Sequence, residues 1–472
     1  MQPESVPTTH FGSATKTIVA MALLAVSIGQ ARADELDSYL QRQRNVYEIP
    51  AVVVGVIRAG QVTDSRAVGL SNVELGVPAS TQHVFEIGSI SKQFTAYSIL
   101  MLLEQAKLDL NVPVGKYLAD LPAPWARPTL HQLLGHISGL PDFEEAFGYS
   151  VYRETPSDTD FQKRLLRLPI ASEPGEKWAY SNTNYWLLAR VIETLSGQPY
   201  DQFVRERIFR PLGMSSSRTA LPAEVLVGRA AGYQLVENRL ENREAMQPST
   251  GRGLGDIATT VQDMASWERE LRTPRLVKPE TARRAYEPVK LNDGSVTDYG
   301  YGWFTSPVLG SPALHHTGGT AGFVAEYLRF PGRDLSIVMF ANRFNAPISA
   351  ARVARFVESG LGGPPLIAAA SFDTAQATRV RQVTSGASRA NKEWREDWFG
   401  ADFWRETKPY LRDVEQNYTR RGPLRSVTPV GPNGIQDAKK PSYRVVFEKM
   451  TRLMTFEFDG VGKIVSLRAE DE

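Results

Sequence analysis

At 472 residues the chain is too long for one small domain, and 42% apolar against 22% charged residues excludes a disordered or fibrous polypeptide. A formal net charge of +2, with the basic residues scattered, leaves no footprint for nucleic acid as the main partner. The absence of cysteine excludes disulfides, thiolate metal sites and a cysteine nucleophile.

The chain opens on an address. Lys16 precedes an apolar run from Ile18 to Ile28, and Ala31-Arg32-Ala33 forms an A-x-A-like cleavage site. Residues 1–33 therefore read as a signal peptide cut after Ala33, with the mature protein secreted or periplasmic. The run is short for a bilayer span, so no stable membrane segment is expected after cleavage; an uncleaved anchor is the alternative.

Ala51 to Ile57 is a valine-rich run, and Arg58-Ala59-Gly60 turns it into a second extended stretch, a hairpin signal. Residues 89–106 carry Phe94, Leu100 and Leu103 at helical spacing, with Ser89 at the helix start. From about 110 to 290 the pattern is helices and loops, as in Asn184 to Leu195, which Gly197 ends. Extended runs return at Val324 to Phe330 and Leu335 to Ala341. Strands at both ends with helices between predict an α+β architecture: one antiparallel sheet flanked by helices, with an all-helical insertion. The expected division is a hydrolase-sized domain over 34–362, a Gly-Pro-Ala-Ser linker over 363–384, and a small α+β domain over 385–472. In the last, residues 442–468 alternate as two strands around Asp459-Gly460.

Three short motifs carry chemistry. In Ser89-Ile90-Ser91-Lys92, residues i and i+3 share a helix face, so Lys92 can activate the Ser89 hydroxyl, a weak nucleophile alone. Burial would lower the lysine pKa, and the helix N-terminus favours developing negative charge. In Tyr180-Ser181-Asn182, a phenol becomes a general base where cations depress its pKa, and an amide can hold both a substrate carbonyl and the lysine. In His316-Thr317-Gly318-Gly319 the glycines admit close approach of a substrate backbone. The Gly319 N–H could join that of Ser89 as an oxyanion hole.

In this order and spacing the motifs resemble those of the serine β-lactamase and penicillin-binding family. The match is closer to the class C branch and the related D,D-carboxypeptidases and esterases. The resemblance spans roughly residues 40–360 and includes Leu134 to Pro141, Pro211-Leu212-Gly213-Met214 and Thr259 to Trp267. It implies the β-lactamase/transpeptidase-like fold, an acyl-enzyme on Ser89, proton transfer shared by Lys92 and Tyr180, substrate binding by Asn182, and a site lined by His316, Thr317 and Gly318. His316 stands where β-lactamases of this branch usually have lysine, which turns the expectation toward small D-amino-acid-containing peptides or esters. A β-lactamase and a non-catalytic cell-wall sensor are the alternatives. The C-terminal strands resemble cystatin-like accessory domains.

Other chemistries find no support. No G-x-S-x-G elbow occurs, and Ser138 reads as a turn residue. His131 and His136 lie five apart, off a common helix face, while His315 and His316 point to opposite sides of a strand, so no metal or other cofactor is expected.

Overall fold

The computed structural model describes residues 34–219, 224–243, 246–358, 360–362, 366–387, 394–408 and 419–471; the expected signal peptide lies outside them. Six antiparallel strands form the main sheet: β1 (Ala51–Arg58), β2 (Gln61–Asn72), β3 (Val77–Pro78), β4 (Leu314–Thr320), β5 (Phe323–Phe330) and β6 (Leu335–Ala341). Their order is β3-β2-β1-β6-β5-β4, so strands from the start and the end of this first unit meet where Val54 pairs with Met339. β1 and β6 are buried on both faces, which is why they read as continuous apolar runs rather than alternating ones.

Helix α1 (residues 34–46) and α5 (Ala350–Val357) cover one face of the sheet. The other face meets α2 (Lys92–Glu104), α3 (Asn182–Ser196) and α4 (Val261–Arg272). α2 is buried nearly all round, the signature of a helix enclosed by protein. α4 presses so tightly on β1 that a Cβ at Gly55 would stand 2.3 Å from Val261 Cγ1. Gly197 ends α3 in the left-handed conformation at φ +70, as its sequence position requires.

Under the sheet, Glu268 of α4 collects four donors: Arg329 Nε (2.7 Å) and Nη2 (2.9 Å), Ser336 Oγ (2.8 Å) and the Tyr327 hydroxyl. Both ends of this ion pair are buried. Glu268→Ala should therefore cost about 3–5 kcal/mol by stranding the guanidinium, read as a fall in the denaturant midpoint.

Part of the segment expected as a linker is instead structured. It supplies β7 (Leu366–Ala368) and most of α6 (Thr374–Ala387) to a second unit. Ala377, Val380 and Val383 sit at helical spacing and pack into that unit's core, a periodicity masked in the sequence by the preceding Gly-Pro cluster. β7 pairs with β8 (Leu424–Pro432), followed in order by β9 (Ser442–Phe447), β10 (Thr451–Phe458) and β11 (Ile464–Asp471). Where two strands were expected over 442–468 there are three. The extra reversal is a tight turn in which Phe447 N donates to Met450 O (2.8 Å), with Glu448-Lys449 between them and no Gly, Asn or Pro to announce it. This unit rests on the main one through Arg421 Nε to the Tyr47 hydroxyl (2.9 Å) and the Arg355–Glu470 ion pair (3.3 Å).

Candidate active site

Ser89 lies not in α2 but in the 3₁₀ turn Gly88–Ser91 that leads into it, with Lys92 the first α-helical residue. Gly88 adopts φ +51, a conformation that costs glycine least, and this aims the half-exposed Ser89 away from otherwise buried neighbours. The turn is pinned from behind: Ile87 N donates to Ile257 O (2.9 Å), and Ile257 N donates to Ser91 Oγ (3.1 Å). That anchoring gives Ser91 a structural role.

Lys92 is fully buried and its ammonium donates three hydrogen bonds of 2.9 Å, to Ser89 Oγ, Asn182 Oδ1 and Leu254 O. Burial pushes its pKa down to about 7, while Asp142, Glu144 and Asp256 pull the other way. The lysine thus loses its proton in the neutral range although its ion is well hydrogen-bonded.

Tyr180 meets Ser89 from the other side, its hydroxyl in hydrogen-bond contact with the serine hydroxyl. Lys92 Nζ stands 4.9 Å from the Tyr180 ring centroid. The expectation of a phenol acidified by cations is not met: burial drives the Tyr180 pKa well above its ordinary value. Tyr180 is a neutral phenol here, and the group with a depressed pKa is Lys92.

Asn182 begins α3. Its Oδ1 holds Lys92, while its Nδ2 donates to Glu144 Oε2 (3.1 Å) and its backbone N–H to Asp142 Oδ1 (3.0 Å). These two carboxylates were not singled out from the sequence, although they directly follow the Leu140-Pro141 signature. Asp142 caps the short helix Phe143–Phe147, and burial together with Glu144 raises its pKa to about 6. Glu144 also accepts from the Tyr152 hydroxyl (2.7 Å).

The third motif occupies β4, an edge of the sheet. His316 and Gly318 are buried, while Thr317 and Gly319 are exposed. The glycine at 318 serves the protein's own backbone rather than a substrate: a Cβ there would lie 1.9 Å from Ile87 O and 3.0 Å from Ser89 N. At Gly88 a Cβ would lie 2.5 Å from Gly319 N. The turn carrying Ser89 and the edge strand are thus in backbone contact, with the Ser89 and Gly319 amides at the junction. His316 Nδ1 lies 2.6 Å from Thr317 O and must donate to it, leaving Nε2 to accept from the Tyr299 hydroxyl (3.0 Å). Burial and the charge of Lys92 lower the His316 pKa to about 3, so the imidazole is neutral. His315 faces away and meets Ser306 Oγ at 3.0 Å. His131 contacts Tyr301 (2.7 Å), and Ser138 bonds Asn184 Oδ1 (2.7 Å), a turn residue as read.

An antiparallel sheet joining early and late strands of the first unit, a helical layer, and a serine–lysine turn against the edge strand together define the β-lactamase/transpeptidase fold. A family model described as Beta-lactamase matches residues 36–361, and the chain belongs to that family. It is 29% identical over 301 residues to penicillin-binding protein 4* of Bacillus subtilis, covering 60% of this chain and 66% of that protein. It is 26% identical over 323 residues to a D-aminopeptidase of Gluconobacter oxydans, covering 67% of this chain and 59% of that protein. The matches thus span less than two thirds of these relatives' own length. Among solved structures, the octameric penicillin-binding protein homologue of Pyrococcus abyssi aligns with a TM-score of 0.62 at 21% identity, covering 93% of this chain and 98% of that one. D-alanine carboxypeptidase AmpC of Burkholderia cenocepacia aligns at 0.56 and 23%, covering 69% and 99%. These two likenesses concern the fold.

Proposed function

We propose that the protein is a serine hydrolase that forms an acyl-enzyme on Ser89 and cleaves amides or esters of small D-amino-acid compounds bearing a free amine. The observation that carries this reading is the buried Lys92, hydrogen-bonded to Ser89 and with its pKa lowered to about 7. Neutral Lys92 takes the Ser89 proton as Oγ attacks the carbonyl carbon, and the oxyanion rests on the Ser89 and Gly319 N–H groups. Tyr180, a neutral phenol touching Ser89, donates its proton to the leaving nitrogen or oxygen and is reprotonated through Lys92. Water then attacks the ester, and Ser89 recovers its proton.

Electrostatics supports this substrate class. Neutral His316 offers no cation for a carboxylate on the leaving side, which both β-lactams and D-Ala-D-Ala peptides carry. On the acyl side, Glu144 and Asp142 flank Asn182 and favour an ammonium next to the scissile carbonyl. The D-aminopeptidase relatives accord with this choice. A panel of D-alanine p-nitroanilide, its N-acetyl derivative, a p-nitrophenyl ester, nitrocefin and a D-Ala-D-Ala peptide tests it. The free amine should be preferred over its N-acetyl form by about 10-fold or more, and Glu144→Gln should erase most of that preference by raising KM for the amine alone. Nitrocefin or the D-Ala-D-Ala peptide turning over fastest would overturn the substrate assignment.

A further inference from the structure

Directly beneath Tyr180 lies a histidine that the proton transfers above do not use. His136 is 1% exposed and adopts the left-handed backbone conformation at φ +58. Its carbonyl accepts from Ala179 N (2.9 Å) and its Nδ1 from Ser181 N (3.1 Å). Both chain neighbours of Tyr180 are therefore tied to this one residue. Between them the phenol ring lies on the imidazole, with centroids 4.3 Å apart and planes inclined by 31°. Asn184 Nδ2 also reaches Nδ1, at 3.3 Å.

Because Nδ1 accepts a backbone proton, the ring proton resides on Nε2, which has no hydrogen-bond partner among the described residues. The Tyr185 and Tyr299 rings stand 5.2 and 4.9 Å away and complete an aromatic enclosure. An imidazolium would be stranded there next to Lys92, and burial together with that charge keeps the ring neutral. A histidine meets all the demands of the position: a flat face, an acceptor one atom from the ring root, and a side chain tolerated in left-handed backbone. The other aromatic residues lack the acceptor, and asparagine lacks the face.

We propose that His136 is the positioning residue for Tyr180, a neutral platform whose ring face directs the phenol at Ser89 while its Nδ1 and carbonyl hold the strand on either side. This rests on the reading that Tyr180 delivers the leaving-group proton. An anilide needs that proton, whereas p-nitrophenolate leaves without it, so the ratio of anilide to p-nitrophenyl ester turnover reports the placement of the phenol. His136→Asn keeps an acceptor and the backbone preference but removes the face. It should lower kcat for the anilide by about 30- to 100-fold, with KM changed less than about two-fold and the ester slowed by only a few-fold. His136→Phe keeps the face and should preserve the ratio, at lower thermal stability because the Ser181 N–H is left unpaired.

Tyr180→Phe calibrates the ratio, and adding His136→Asn to it should change the anilide rate little further. Equal loss on both substrates in His136→Asn, or full additivity with Tyr180→Phe, would overturn the positioning role. If Tyr180→Phe itself leaves the ratio untouched, the proton-delivery reading fails instead. Fluorophosphonate labelling of Ser89 then decides for His136: slowed labelling in His136→Asn supports the platform and wild-type labelling removes it.

Discussion

Ser89→Ala is expected to abolish covalent labelling by a fluorophosphonate and to lower turnover by at least about 10⁴-fold, because the proposed mechanism places the acyl intermediate on its hydroxyl. The protein should stay folded. Ser89 is half-exposed, its turn is held by Ile87, Ser91 and Ile257 rather than by its own hydroxyl, and alanine fits the same backbone. An unchanged melting temperature alongside lost labelling separates the chemical role from a folding defect. Labelling of the alanine variant at the wild-type rate would remove Ser89 from the mechanism. Residual turnover, if measurable, would come from the backbone oxyanion site, which the substitution leaves in place.

Lys92→Met should lower kcat/KM by about 10³- to 10⁴-fold and also change the shape of the pH profile. On the proposed mechanism activity requires neutral Lys92, so kcat/KM is expected to rise with pH through about 7 as the buried ammonium loses its proton. Methionine has nothing to titrate, and that acid limb should vanish from whatever rate remains. Stability supplies an independent check on the same shift. Between about 7 and about 10, unfolded lysine still holds a proton that the folded lysine has released, so the unfolded state binds more protons and stability climbs with pH. The Lys92→Met protein should lack this contribution when melting temperatures are compared across that range. An acid limb that persists in the variant would assign it to another group and displace Lys92 as the base.

Much of the site was legible because its members stand in short motifs whose order survives without coordinates. Ser89 and Lys92 needed only the i, i+3 geometry, and the helix behind Asn182 was marked by its periodicity and by Gly197. What stayed hidden depends on burial and on chain reversals. Asp142, Glu144, His136 and the Leu254 carbonyl reach the site through contacts across more than 35 residues, which no local pattern encodes. The direction of the Tyr180 shift was missed for the same reason: its neighbours were visible in the sequence, its desolvation was not. In the C-terminal unit, a Gly-Pro cluster disguised the strand and helix after it, and an unmarked turn merged two strands into one.

The contact between Gly88 and the β4 backbone sets where this active site can be redesigned. Any side chain at position 318 collides with Ile87 O, and one at 88 collides with the Gly319 backbone, so libraries randomised at either position would consist almost wholly of misassembled proteins. Position 319 differs: a Cβ there meets nothing within 4 Å among the described residues, yet its amide packs against Gly88, next to Ser89 in the chain. Because the proposed anion-stabilising groups belong to the main chain, substitutions at 319 should reshape what the cleft admits without deleting a catalytic donor. For a directed-evolution campaign, Gly319 and the exposed Thr317 are the positions on this strand where new substrate preference can be sought, with Gly88 and Gly318 held constant.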